Sequence, residues 1–226
     1  MGKLALVTGG NRGLGFEIVK ALAAQGYKVL LGSRNIEQGK KAASTIDGDI
    51  EVVELDLSNS KTLRNQVKEI ISFHPHIDVL VNNAAILIHD EIFEIDEEDF
   101  YNTMQINLTA PFDIIQLIAP TMVKQDYGRI VNITSDFGSF NDGLPGPVSY
   151  SVSKAALNAL TMNVARTLPD TVKVNSVHPG WLKTDMGGPD APQPITDGVK
   201  TPVWLATLPD DGPTGLFFHD KQIKQW

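Results

Sequence analysis

Short runs rich in Val, Leu and Ile recur along the chain, with helix-length segments between them. They predict strands at Leu4–Thr8, Lys28–Gly32, Glu51–Leu55, Val79–Asn82, Ile130–Thr134 and Lys173–Val177, and a last one near Leu216–Phe218. The intervening patterns predict helices over Leu14–Gln25, Ile36–Ile46, Lys61–Phe73, Phe100–Val123 with a break at Pro111, Tyr150–Leu168, and a shorter one over Gly198–Thr207. Strands this apolar suit burial on both faces, so the alternation predicts a parallel sheet of about seven strands covered by helices on either side. Two consecutive halves of this kind make a doubly wound α/β fold. No linker, repeat or low-complexity tract interrupts the pattern, so residues 1–226 are expected to form one domain.

Composition narrows the classes. The chain is 42% hydrophobic and 20% charged, which excludes a disordered or fibrous protein. No apolar run approaches the ~20 residues of a membrane span, and the apolar start Met1–Val7 is too short for a signal peptide. The absence of cysteine excludes disulfides, thiolate zinc sites and cysteine nucleophiles, and the cytoplasm is the default compartment. A net charge of −8 without a Lys/Arg cluster disfavours nucleic acid as a partner. An anionic cofactor would need local positive potential from a helix N-terminus and a few basic side chains. The acidic stretch Asp90–Asp99 reads either as a divalent-metal site or as a solvated helix start, with Asp96 as N-cap and Glu97, Glu98 and Asp99 favoured by the helix dipole. The second reading is preferred. The histidines show no ligand spacing, so no metal is expected.

Thr8-Gly9-Gly10-Asn11-Arg12-Gly13-Leu14-Gly15 follows the first strand and opens the first helix, the context that a dinucleotide-binding, Rossmann-type turn requires. Gly9 permits the tight turn, Gly13 lets backbone approach a pyrophosphate, and Gly15 lets helix and sheet pack closely. A glycine cluster also suits an ordinary strand–helix turn. The second strand ends in Ser33-Arg34, where an NAD-binding chain would carry an acid for the ribose hydroxyl. Arg34 can pair a 2′-phosphate, with Arg12 closing from the other side, which favours NADP(H). The alternative is that Arg34 is merely an exposed strand-end arginine.

Tyr150 and Lys154 stand four residues apart on one helix face. A free tyrosine, with a pKa near ~10, is a poor acid–base at neutral pH, and a neighbouring ammonium is expected to lower that value. Ser135 follows the fifth strand at the carboxyl edge of the sheet, where its hydroxyl can meet a substrate oxygen. A Tyr–Lys pair at this spacing is commonly only a solvated helix face.

Together these segments resemble the short-chain dehydrogenase/reductase family. The likeness is carried by Thr8–Gly15, Asp56, Asn82-Asn83-Ala84-Ala85, Asn107, Ser135, Tyr150 with Lys154, and Pro179-Gly180 with Thr184, in the family's order and over nearly the whole chain. It implies hydride transfer with NAD(P)(H) and a catalytic tetrad of Asn107, Ser135, Tyr150 and Lys154. It also implies a cofactor held by Gly9, Asn11, Arg12, Gly13, Leu14, Gly15, Arg34, Asp56, Leu57, Asn83, Ala84, Tyr150, Lys154, Pro179, Gly180, Leu182 and Thr184. Among these, Asp56 would contact adenine, Asn83 would support the adenosine side, Lys154 would hold the nicotinamide ribose, and Thr184 with the Leu182 backbone would hold the carboxamide. The tail from His178–Gly188 through the terminal Gln225-Trp226 is similar to the carbonyl-reductase branch, which usually prefers NADPH. Ala85 replaces the family's usual glycine. Ser135 and Tyr150 lie 15 positions apart, without the insertion that helps keep animal carbonyl reductases monomeric.

The expected activity is reduction of an aldehyde or ketone, with Tyr150 giving the proton, Ser135 orienting the oxygen, Lys154 keeping the phenol acidic and Asn107 positioning a water. An alcohol or hydroxysteroid dehydrogenase running oxidatively and a non-catalytic NADP(H) sensor are the rival readings. Phe137, Phe140, Leu144, Trp181 and Met186 either line an apolar pocket or pack in loops. Family members often pair helices like Pro111–Val123 and Tyr150–Leu168 into homo-dimers or homo-tetramers, and Ala155, Leu157, Ala159 and Met162 are assigned to the outer face.

Overall fold

In the computed structural model, which describes residues 2–226, the strands are β1 (Leu4–Thr8), β2 (Lys28–Ser33), β3 (Ile50–Glu54), β4 (Val79–Asn82), β5 (Gly128–Ile133), β6 (Val172–Val177), β7 (Phe217–His219) and β8 (Gln222–Lys224). The helices are α1 (Gly13–Ala24), α2 (Ile36–Ala43), α3 (Ser60–Phe73), α4 (Glu97–Met104), α5 (Ala110–Lys124), α6 (Val148–Thr167), α7 (Ile195–Gly198) and α8 (Lys200–Ala206). All eight strands share one sheet in the order β3-β2-β1-β4-β5-β6-β7-β8. The first seven run parallel and β8 returns antiparallel to β7. The strand order reverses beside β1, between β2 and β4, and such a switch point opens a crevice at the carboxyl ends of the strands.

Alternate residues of each strand point to opposite faces, so the sheet has two cores. Leu6, Leu30, Leu80, Ile130 and Val174 pack against Leu63 and Val67 of α3 and Ile114 and Ile118 of α5. Val7, Leu31, Val81, Val131 and Val177 pack against Ile18 and Leu22 of α1 and Val203 and Leu205 of α8. At the amino end of β5, the buried Arg129 donates to the carbonyls of Leu208, Gly128 and Thr171 at 2.8–3.0 Å and pairs with Asp210 at 2.8 Å. This buried charge is fully hydrogen-bonded, the condition under which burial is tolerated.

Three expectations are corrected. The sheet has an eighth strand, because Gln222–Lys224 pairs with β7 despite a polar, exposed sequence. The helical break falls not at Pro111 but at a π turn, Gln105–Thr109. Pro111 is the second residue of α5, directly after that turn. Of the residues assigned to the outer face of α6, Ala159 and Met162 are exposed, but Ala155 and Leu157 are buried within the chain because α6 packs both on the sheet and against α4. Asp96 caps α4 by accepting from the Glu98 amide at 2.8 Å. The continuous helical stretch Glu97–Lys124 is long and apolar enough to cross a bilayer, but half of its most apolar window lies inside the fold, with Ile114, Ile118 and Met122 in the core.

Candidate active site

The crevice begins at the turn between β1 and α1. Gly9 and Gly13 hold positive φ, +64° and +56°, a region that side chains disfavour. A Cβ on Gly13 would meet nothing nearer than the Thr184 methyl at 3.8 Å, so the backbone there faces open space. A Cβ on Gly15 would run into the Gly9 carbonyl oxygen and the Asn83 amide. Asn83 Nδ2 donates to the carbonyls of Thr8 at 2.9 Å and Gly9 at 3.3 Å, while Thr8 Oγ1 accepts from the Asn83 and Ala84 amides, both at 3.0 Å. These bonds join the turn to the end of β4.

The start of α1 fits an anion. Arg12 is the N-cap with no side-chain capping bond, and the first turn carries no acid, so no side chain competes for its free amides. A cleft of about 530 Å³ lies in front, lined by Arg12, Gly13, Lys183, Thr184, Asp185 and Gly188, among others. The segment after β6 runs through Pro179, Gly180 at φ +96° and the buried Leu182 to Thr184, which lines the cleft and whose amide donates to the Leu182 carbonyl at 2.8 Å. Asn11 bonds Gln38 at 3.5 Å, and Leu14 is half-buried beside it. Arg34 is exposed immediately after β2. Arg12, expected to close on a 2′-phosphate, is exposed and pairs with the exposed Asp185 at 3.1 Å across the cleft mouth. Asp56 accepts from the amide and hydroxyl of Ser58 at 3.0 and 2.7 Å, and the carbonyl of the buried Leu57 accepts from Gln105 at 3.0 Å. The residues present therefore fit a dinucleotide laid along the carboxyl edge.

The reactive groups converge further along that edge. Lys154 is fully buried, its Nζ 2.9 Å from the Ile133 carbonyl and 5.4 Å from the Tyr150 ring centroid. Burial lowers its pKa to about 7. Tyr150 is buried as well, with Phe137 edge-on to its ring at 6.2 Å. The expected lowering of the phenol by Lys154 is not present. Burial and then the Asp136 carboxylate hold the phenol above its ordinary value, and only a hydrogen bond with Ser135 opposes them. A lysine this deeply desolvated shares its neighbour's penalty instead of relieving it. Ser135 Oγ donates to Asp136 Oδ1 at 2.9 Å and accepts from the Phe137 amide at 3.1 Å.

Asn107 sits at the π turn, fully buried. Its Oδ1 accepts from the Ile86 amide at 2.9 Å, and its Nδ2 donates to the Ile86 carbonyl at 2.9 Å and to Ser153 Oγ at 3.1 Å. Ser153 in turn bonds the Tyr150 carbonyl at 2.7 Å, which ties this turn to the helix bearing Tyr150 and Lys154. All four residues expected to form a tetrad thus gather around one end of α6. The five apolar residues expected near them divide. Phe137 packs on Tyr150 and Leu144 is half-buried, whereas Phe140, Trp181 and Met186 are largely exposed.

Several neighbours escaped sequence reasoning. Asp136 touches Ser135 and lies 3.7 Å from His178 Nδ1, and His178 stacks on His219 with centroids 4.7 Å apart. Asp90 binds the Ser149 hydroxyl at 2.5 Å, bracing the start of α6. The only available signal for Asp136 was an acid directly after Ser135. For Asp90 there was none, since it is 59 positions away from its partner.

A family profile described as short chain dehydrogenase matches residues 3–194. A 3-oxoacyl-[acyl-carrier-protein] reductase of Aquifex aeolicus is 37% identical over 190 residues, covering 82% of this chain and 76% of that protein. The solved structure of carbonyl reductase Sniffer of D. melanogaster superposes with a TM-score of 0.88 at 29% identity, covering 100% of both chains. An NADPH-bound carbonyl reductase from chicken fatty liver does so with a TM-score of 0.88 at 26% identity, covering 100% of this chain and 99% of that one.

Proposed function

Because this chain belongs to the short-chain dehydrogenase family, and so to the NAD(P)-dependent oxidoreductases, we propose that it reduces an aldehyde or ketone to the alcohol with NADPH. The observation that carries this reading is the convergence of Tyr150, Ser135 and Lys154 at the carboxyl end of the sheet, beside a turn shaped for a dinucleotide.

A nicotinamide dinucleotide held along the glycine-rich turn would supply hydride to the carbonyl carbon. Tyr150 gives its proton to the carbonyl oxygen. Burial keeps that proton in place at neutral pH until a substrate oxygen takes it. Ser135 turns its hydroxyl from Asp136 to the substrate oxygen and sets the carbonyl's orientation. Lys154, with a pKa near the working pH, can take up charge as the phenol loses its proton, and Asn107 holds the turn against α6. Phe137 walls off one side of the phenol and excludes water there. NADPH is preferred to NADH because Arg34 stands exposed where an acid would otherwise meet the 2′ position. Self-association would use the outward faces of α5 and α6, where Phe112, Val123 and Met162 are exposed.

Consumption of NADPH, and separately of NADH, with a panel of aldehydes, ketones and quinones tests the reading. Turnover of at least one carbonyl, faster with NADPH, is expected. No turnover with either nucleotide, or equal use of both, would overturn it.

A further inference from the structure

Several loop carboxylates have a partner. Asp142 is held by Lys224 at 2.6 Å and Asp185 by Arg12 at 3.1 Å. Asp90 is taken up by the Ser149 hydroxyl at 2.5 Å. Asp136 differs. Its side chain is 39% exposed, and the base within ion-pair distance is His178 at 3.7 Å. Burial holds that imidazole well below its ordinary pKa, so it carries no charge at neutral pH. Among the described residues, then, no charged cation answers this carboxylate. Its Oδ1 accepts from the Ser135 hydroxyl at 2.9 Å and the Phe137 amide at 3.0 Å, and its field reaches the Tyr150 phenol.

We propose that Asp136 determines substrate specificity: its carboxylate, bonded to Ser135, selects carbonyl compounds with an ammonium group close to the carbonyl and rejects those with a carboxylate there. The proposal rests on the reading of Ser135 and Tyr150 as the pair that binds the carbonyl oxygen. When Ser135 turns its proton to that oxygen, Asp136 Oδ1 loses a donor. An ammonium N–H replaces the lost bond and brings the missing opposite charge. A neutral ketone leaves the carboxylate one donor short, and an anionic one adds like-charge repulsion in a partly desolvated cleft. The chemistry is unchanged in every case: hydride to carbon, the Tyr150 proton to oxygen.

The test uses three aryl ketones of one skeleton, with an ammonium, a methyl or a carboxylate group beside the carbonyl, and measures kcat/KM with NADPH in the unsubstituted enzyme and in Asp136→Asn. Asparagine retains Oδ1 as acceptor for Ser135 and Phe137. The unsubstituted enzyme should prefer the ammonium ketone to the carboxylate ketone by at least about tenfold, less so at high salt. Asp136→Asn should reduce that ratio about tenfold, mainly through KM. An unchanged ratio, or an equal fall for all three ketones as a structural role would give, overturns the proposal. So does turnover of the methyl ketone with no preference for the ammonium one. If Asp136→Asn does not fold, Asp136→Ser is read in the same way. Tyr150→Phe separates the two claims: retained turnover there defeats the reading of the site, whereas lost turnover with an unchanged charge ratio in Asp136→Asn defeats only the role of Asp136.

Discussion

Lys154 is a site where function and stability are expected to oppose each other. Burial lowers its pKa from 10.5 to about 7, and Nζ keeps one hydrogen bond, to the Ile133 carbonyl at 2.9 Å. In the unfolded chain the lysine holds its proton up to pH ~10.5, while the folded chain releases it near 7. Between those values the unfolded state binds more protons, so stability rises with pH across the window and is lowest, and level, below it. At 1.36 kcal/mol per pH decade, the folded protein forfeits about 4–5 kcal/mol at pH 6.5 and only about 1 kcal/mol at pH 9.5. Lys154→Met keeps the apolar stem and removes that loss, but it strands the Ile133 carbonyl at a cost of about 1–2 kcal/mol. The variant should therefore be about 2–3 kcal/mol more stable than its parent at pH 6.5 and no more stable at pH 9.5. Urea unfolding of both proteins at the two pH values, without nucleotide, measures this directly. A variant less stable than its parent at pH 6.5, or a difference that ignores pH, would refute the reasoning.

Further outcomes follow from other parts of the fold. Arg34→Glu should lower kcat/KM with NADPH about 10²-fold and leave NADH use nearly unchanged, as steady-state rates with the two nucleotides would reveal. Gly15→Ala forces a methyl group against the Gly9 carbonyl and the Asn83 amide, so it should cost about 1–3 kcal/mol in thermal unfolding and weaken NADPH binding at least about tenfold by fluorescence titration. Arg129→Met takes a donor away from the carbonyls of Leu208, Gly128 and Thr171 at the amino edge of the sheet. It should destabilise by about 3–5 kcal/mol in urea while kcat of the folded fraction, measured at low temperature, stays close to that of the parent.

The central strands were legible because parallel strands buried on both faces read as continuous apolar runs. Leu4–Thr8 and Val79–Asn82 are wholly buried, and the expected bounds coincide with the observed ones. β8 was not legible. Gln222–Lys224 is short and polar, and it is held by tertiary contacts alone: pairing with β7, the Lys224–Asp142 ion pair, and the nearby stack of Trp226 on Phe217. The π turn escaped for a similar reason. Its stabilising partners, Ile86 and Ser153, lie 21 and 46 positions away from Asn107. At the site, helical spacing placed Tyr150 and Lys154 together, but spacing carries no information about depth. Depth decides the electrostatics here, lowering the lysine and raising the phenol where a solvated pair would have lowered the phenol alone. The Arg12–Asp185 pair joins residues 173 positions apart and exists only because the loop after β6 folds back over the first turn.

The proton carried by Tyr150 is the centre of the account, and Tyr150→Phe tests it most directly because the ring, and with it the contact to Phe137, is retained. Single-turnover reduction of a carbonyl that the parent accepts should slow by at least about 10³-fold, while NADPH affinity, titrated on the same sample, stays within about threefold. Reduction at a rate near that of the parent would contradict the account.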